Sequence, residues 1–162
     1  MKSLIIYSSR SGNTGKLARA VYSSFPGEKE IVSISDLAGQ DANCDLIVLG
    51  FPVMAGRVEP RAKKYLSAFN CKARLFLFIT HGSLKESELV AKVLAQALEL
   101  LGKVDLVGTF TCQGEVDPKV IDKLKRGSKP PAWLDEAAHA KGHPGDKDIA
   151  ELTDRLKKIV AL

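Results

Sequence analysis

Leu4-Ile5-Ile6-Tyr7-Ser8-Ser9-Arg10-Ser11-Gly12-Asn13-Thr14-Gly15 runs from four apolar residues straight into a polar turn of serines, glycines, Arg10, Asn13 and Thr14. An unbroken apolar run of this length suits a strand buried on both faces, as in a parallel sheet. Beyond the turn, Leu17, Ala18, Val21, Tyr22 and Phe25 recur at helical spacing, and Pro26-Gly27 stops the helix. Strand, polar turn and helix together make the first half of a βαβ unit.

The same alternation continues outward. Further strands are expected at Glu30–Ile34, Leu46–Leu49, Leu75–Ile79 and Val104–Thr111. Gly50–Pro60 reads as a loop, followed by a helix marked by Ala62, Tyr65, Leu66 and Phe69. Leu89, Val90, Val93, Leu94, Ala97, Leu98 and Leu101 mark another helix, closed by Gly102. Asp117-Pro118 fits the cap and first position of a short helix. Lys129–Gly145 reads as an irregular connection, and Asp146–Val160 as the last helix. Five buried strands alternating with helices predict an α/β fold, a doubly wound five-stranded parallel sheet with helices on both faces. Ligands of such sheets sit beyond the carboxyl ends of the strands, at the point where strand order reverses.

With 162 residues, the expected organisation is one domain over 1–162. Hydrophobic residues make up 45 % of the chain, which is enough for a core and excludes overall disorder. Cys44, Cys71 and Cys112 form no CxxC pair, so neither a disulfide framework nor a four-cysteine metal site is expected. No apolar run is long enough to cross a bilayer or to form a signal-peptide core, and the protein is read as cytoplasmic. His139 and His143 are four apart, but Gly142 and Pro144 break any helix between them, so no metal site is expected. The net charge of +5 favours an anionic partner or substrate. Nucleic acid is not that partner, because the chain has no aromatic–basic RNA motif, helix-turn-helix signature or basic tail.

The turn after the first strand has the chemistry of an anion site. A helix N-terminus offers free N–H groups and partial positive charge, Gly12 allows the backbone to turn, and Ser9, Ser11 and Thr14 add hydroxyls. A Walker A loop ending at Lys16 fails at Arg10 and Leu17, and the G-x-G-x-x-G spacing fails at Ser9 and Ser11. An ordinary capped strand–helix turn is the plainer alternative, but one cap does not need so many hydroxyls.

Here the sequence resembles the flavodoxins. Their FMN-phosphate signature is an apolar pair, an aromatic, a spacer, Ser or Thr, two spacers, a small residue, a spacer, Thr, three spacers and Ala. Ile5, Ile6, Tyr7, Ser9, Gly12, Thr14 and Ala18 fill its constrained positions. The resemblance implies the strand order 2-1-3-4-5 and FMN as cofactor; flavodoxin is the standard example of that order with FMN at the switch point. It implies Ser9, Arg10, Ser11, Gly12, Asn13 and Thr14 around the phosphate. Thr111-Cys112-Gln113-Gly114, and Gly142-His143-Pro144 with Asp148, resemble flavodoxin-like proteins common in anaerobic bacteria.

For the flavin ring, the resemblance points to Phe51, Pro52, Met54 and Gly56 after the third strand. His81 and Gly82 follow the fourth strand, and Cys112, Gln113 and Gly114 the fifth. Relatives often carry Trp where this chain has Pro52, which leaves a ring face without its usual aromatic. Phe51 and Met54 read equally as core residues. His81, the candidate proton donor, reads equally as a capping imidazole. Cys112 reads better as a small buried hydrophobe, and Trp133 better as packing.

The functional expectation is an FMN-binding carrier that shuttles electrons between redox partners. One alternative is an FMN-dependent reductase or oxidase acting on a quinone- or tetrapyrrole-like substrate. Another is a flavin-free module binding a ligand such as haem. Basic residues cluster at Arg57, Arg61, Lys63, Lys64, Lys72 and Arg74, and again at Lys119, Lys123, Lys125, Arg126 and Lys129. They suggest a redox protein with an acidic docking surface, or an anionic small substrate.

Overall fold

The computed structural model describes residues 1–161. Its strands are β1 (Lys2–Tyr7), β2 (Glu28–Ser33), β3 (Leu46–Met54), β4 (Arg57–Val58), β5 (Arg74–His81) and β6 (Leu106–Gln113). Its helices are α1 (Asn13–Ser24), α2 (Pro60–Ala68), α3 (Glu88–Leu100), α4 (Pro118–Lys125) and α5 (Asp146–Val160). Five strands pair in parallel in the order β2-β1-β3-β5-β6, which is the expected winding. The short β4 is additional and pairs antiparallel with the end of β3.

Alternation along the strands builds the two halves of the core. Leu4, Ile6, Ile47, Leu49, Phe51, Leu75, Leu77 and Ile79 face one way and pack against Ala62 and Leu66 of α2 and Val93 and Ala97 of α3. Ile5, Leu46, Val48, Phe76, Phe78, Phe110 and Cys112 face the other way, against Leu17, Ala18 and Val21 of α1 and Leu152 and Leu156 of α5. The central strands β1, β3 and β5 are thus covered on both sides, which is why their sequences read as apolar runs, whereas the edge strands β2 and β6 are mostly half-buried. In contrast, α4 has no buried residue. It caps the end of the sheet instead of covering a face.

The helix boundaries follow local chemistry. Glu59 caps α2 by accepting from the Ala62 N–H at 2.9 Å, with Pro60 at the first position. Ser87 caps α3 by accepting from the Val90 N–H at 3.4 Å. Asp117 caps α4 by accepting from the Lys119 N–H at 2.8 Å, with Pro118 following as the sequence implies.

One expectation needs correcting. Residues 50–60 do not form an open loop. β3 continues to Met54, the chain reverses at Ala55-Gly56, and Arg57-Val58 returns against Met54 and Val53. Both turn residues have positive φ, 48° at Ala55 and 72° at Gly56, as a two-residue hairpin matched to strand twist requires. Gly56 adopts that conformation freely, whereas Ala55 is strained. Ala55→Gly should raise stability by about 0.5–1 kcal/mol, relief of strain outweighing the added freedom of the unfolded chain. A urea midpoint that falls on substitution would contradict that strain.

Candidate functional site

The carboxyl ends of β1, β3, β5 and β6 open onto one cavity of about 370 Å³. Arg10, Ser11 and Asn13 line it from the turn after β1, Pro52 to Gly56 from the hairpin, Thr80 to Ser83 from the end of β5, and Gly114 to Asp117 from beyond β6. The sheet's topology predicts this position, because β1 and β3 lie at the reversal of strand order.

The β1 turn is built to leave donors free. Gly12 is the N-cap of α1 at φ 96°, with no side-chain cap and no acidic residue in the first turn. A Cβ at Gly12 would meet nothing within 4 Å, so its space is open. Ser9 Oγ accepts from the Gly15 N–H at 3.1 Å and folds the turn back on itself. The buried Thr14 hydroxyl lies 2.8 Å from that of Thr80, fixing the helix start to the end of β5. The result is a helix N-terminus beside Arg10 and Ser11 in which Ser9 takes the Gly15 N–H but the N-cap residue itself supplies no side-chain acceptor, leaving charge and donors suited to an anion.

Two later segments hold this turn in place. Asn13 Nδ2 donates to the Glu115 carbonyl at 3.0 Å, and its amide lies against Gly114. A Cβ at Gly114 would come within 2.4 Å of Asn13 Nδ2, so the close approach that glycine permits is to Asn13. Lys16 Nζ donates to the Pro144 carbonyl at 2.6 Å, and the Glu115 N–H donates to the His143 carbonyl at 2.8 Å. His143 Nδ1 is 2.6 Å from Asp148, whose carboxylate also accepts from the Gly145 N–H at 2.7 Å. Burial opposes ionisation of Asp148, but Gly145 and His143 hold its carboxyl below the usual range. The Gly142-His143-Pro144 segment is therefore a strap across the site. No metal-binding group of His, Cys, Asp and Glu occurs among the described residues.

His81 is 4 % exposed. Its Nδ1 lies 2.8 Å from the Ser83 carbonyl, which only accepts, so Nδ1 carries the proton. Nε2 is then a buried acceptor with no partner among the described residues, and Ser83 Oγ is likewise unpaired. Burial pushes the imidazole down to about 4. At neutral pH His81 therefore holds no proton to donate beyond the one engaged with Ser83. In the unfolded chain it titrates near 6.5. Between those values the unfolded state binds more protons, so stability should fall as pH drops from about 6.5 towards 4, by roughly 3 kcal/mol for this group. His81→Gln should flatten that part of the pH–stability curve, and an unchanged acid limb would rule out this role.

Other expected ring residues fall elsewhere. Phe51 is fully buried on the α2/α3 face, because the β3 pleat turns it away from the cavity. Cys112 packs on the α1/α5 face for the same reason, and burial pushes its thiol well above the usual range. Gln113 Nε2 donates to the Gly82 and Glu136 carbonyls at 3.3 and 3.4 Å, so it braces the loops from outside the cavity. Pro52, Met54, Gly56, His81, Gly82 and Gly114 do line it.

Trp133 belongs to the site, contrary to the packing assignment. It lines the cavity, and a Cβ at Gly82 would lie 3.2 Å from its Cζ3. Val116, Val120 and Leu124 join it there. Their four-residue spacing was a sequence signal of one apolar stripe over this end. The cavity thus has an anion-seeking end at α1 and an apolar end beneath α4.

A flavodoxin-domain family model matches residues 4–157. The chain belongs to the flavodoxin-domain family. The flavodoxin-like domain-containing protein BilS of Clostridioides difficile (strain CD3) is 29 % identical over 171 residues, spanning 99 % of this chain and 97 % of that one. A flavoprotein crystallised with FMN, from Lactobacillus acidophilus NCFM, shares the fold at TM-score 0.54 and 20 % identity, over 75 % of this chain and 97 % of its own. An azoreductase from Bacillus anthracis str. Sterne shares it at TM-score 0.59 and 11 % identity, over 95 % of this chain and all of its own. For this flavodoxin-domain protein, no helix among the described residues is long and apolar enough to cross a membrane.

Proposed function

We propose that this flavodoxin-domain protein binds FMN and carries electrons between redox partners. The carrying observation is the polarity gradient of the strand-end cavity. Free N–H groups at the start of α1, with Arg10 and Ser11, suit the phosphate. Met54, Val116, Val120, Leu124 and Trp133 suit a planar apolar ring. The volume lies within the usual range for cofactor pockets, roughly 300–1,000 Å³. When bound, the flavin supplies the redox chemistry, and the protein supplies binding, orientation and water exclusion. Trp133 provides the aromatic surface that Pro52 does not.

An electron carrier suits this chain better than a reductase. A substrate reduced directly needs room beside the ring, and Trp133 with the apolar side of α4 already occupies that end. The test is titration of apoprotein with FMN and with riboflavin, followed by absorbance and flavin fluorescence. FMN should bind about a hundredfold more tightly, because riboflavin lacks the group that α1 receives. Trp133→Ala should weaken FMN about tenfold and leave the FMN/riboflavin ratio unchanged. Failure to take up FMN would sink the proposal. Rapid steady-state turnover with a small acceptor would favour the reductase.

A further inference from the structure

Behind the hairpin lies a second cleft of about 570 Å³. Met54 and Ala55 line both it and the strand-end cavity, so the hairpin turn is the partition between them. Val58 adds to the apolar wall, and Arg57, Lys63 and Lys64 stand around the cleft. These three cations are exposed, and none forms an ion pair among the described residues. The lone acidic residue of this segment, Glu59, is 1 % exposed and turned inward to cap α2. Positive charge therefore gathers, uncompensated at the surface, one turn of backbone away from the proposed cofactor.

We propose that this cleft docks an acidic segment of a redox protein, and that electrons cross the Met54-Ala55-Gly56 turn. The proposal rests on the FMN reading of the neighbouring cavity. In the exchange, the partner's centre loses an electron and the flavin gains it, or the reverse. A small anion is the poorer occupant. Orienting one takes converging polar groups; of the two uncharged polar side chains in the lining, Gln96 already accepts from the Val58 N–H at 2.9 Å through Oε1, and Ser67 is exposed on α2. Lys63 and Lys64 lie about 100° apart around α2, so they radiate instead of converging. Exposed charges spread round an apolar floor steer and orient a large counter-surface. The cations of α4 form the rival surface, but Asp117 and Asp122 are interleaved with Lys119, Lys123, Lys125 and Arg126 and dilute their field.

The experiment uses FMN-loaded protein, with loading read from the flavin absorbance. It is mixed anaerobically with a reduced plant-type [2Fe–2S] ferredoxin, an acidic protein, and flavin reduction is followed by stopped flow. The triple variant Arg57→Gln, Lys63→Gln, Lys64→Gln should slow reduction about tenfold at low salt and converge with the parent at high salt. FMN affinity should be unchanged. The α4 triple variant Lys119→Gln, Lys123→Gln, Lys125→Gln should stay within about twofold of the parent, since its field is already diluted. An unaltered rate in the cleft variant, or an equal loss in the α4 variant, overturns the docking proposal. A protein that takes up no FMN fails the cofactor reading instead. Docking is then read by calorimetric titration of oxidised ferredoxin into the flavin-free protein. Binding lost in the cleft variant supports the site, and binding unaffected by it overturns the site.

Discussion

Gly50→Ala is expected to abolish the native fold or to destabilise it by upward of about 3 kcal/mol. A Cβ at Gly50 would sit 2.0 Å from Phe78 Cζ, with two further ring carbons at 2.3 and 2.5 Å. These separations lie far inside van der Waals contact, so something must move. Phe78 is fully buried on β5, and Gly50 pairs with it in the centre of the sheet, so neither ring nor strand can yield cheaply. The Gly50 carbonyl also accepts from the Ser8 N–H at 2.9 Å, at the entrance to the β1 turn, so displacement would reach the candidate site. Denaturant unfolding of a double-mutant cycle checks the cause. Phe78→Leu alone should destabilise by creating a void. Combined with Gly50→Ala it should cost clearly less than the two single changes summed. Strict additivity would show that the steric account is wrong.

Ser11→Asp should move two measurements in opposite directions. Ser11 is exposed, lines the cavity and lies just before the N-cap of α1. A carboxylate there faces a helix start whose N-cap residue supplies no side-chain acceptor and whose first turn holds no acid. In the flavin-free protein it should raise stability by about 0.3–1 kcal/mol through the helix dipole. In the FMN titration it occupies the place proposed for a dianion and should weaken binding by about a hundredfold or more. Riboflavin affinity should barely change. A variant that gains stability and keeps its FMN affinity would place the phosphate elsewhere. A variant that loses stability would show that the helix start is already satisfied.

The parallel sheet was legible because its central strands are covered on both faces, so apolar runs such as Leu46–Leu49 and Leu75–Ile79 carry most of the signal. The β1 turn was legible as a turn because hydroxyls and Gly12 sit between an apolar run and a helical repeat, although the Ser9 and Thr14 hydroxyls prove to bond within the protein. The hairpin was hidden because Ala55 is a poor residue for positive φ, and Arg57-Val58 is too short to show a pattern. Phe51 and Cys112 were placed near the cofactor by their position in the loops. The pleat decided otherwise, since one residue along a strand exchanges cavity for core. Trp133 escaped because it lies in an irregular connection that reaches the cavity only through tertiary packing.

The strap that joins Pro144 to Lys16 bridges 128 residues of sequence. During synthesis the β1 turn leaves the ribosome early, while its anchor follows more than a hundred residues later. At about 5–20 residues per second, that interval is several seconds or longer. A nascent chain ending before residue 142 would carry the candidate anion turn with its Ser9, Thr80 and Glu115 contacts but without the strap. Under the FMN proposal, the last brace of the phosphate end is therefore made late in the life of the chain, and a product truncated before the strap should hold FMN more weakly than the full chain.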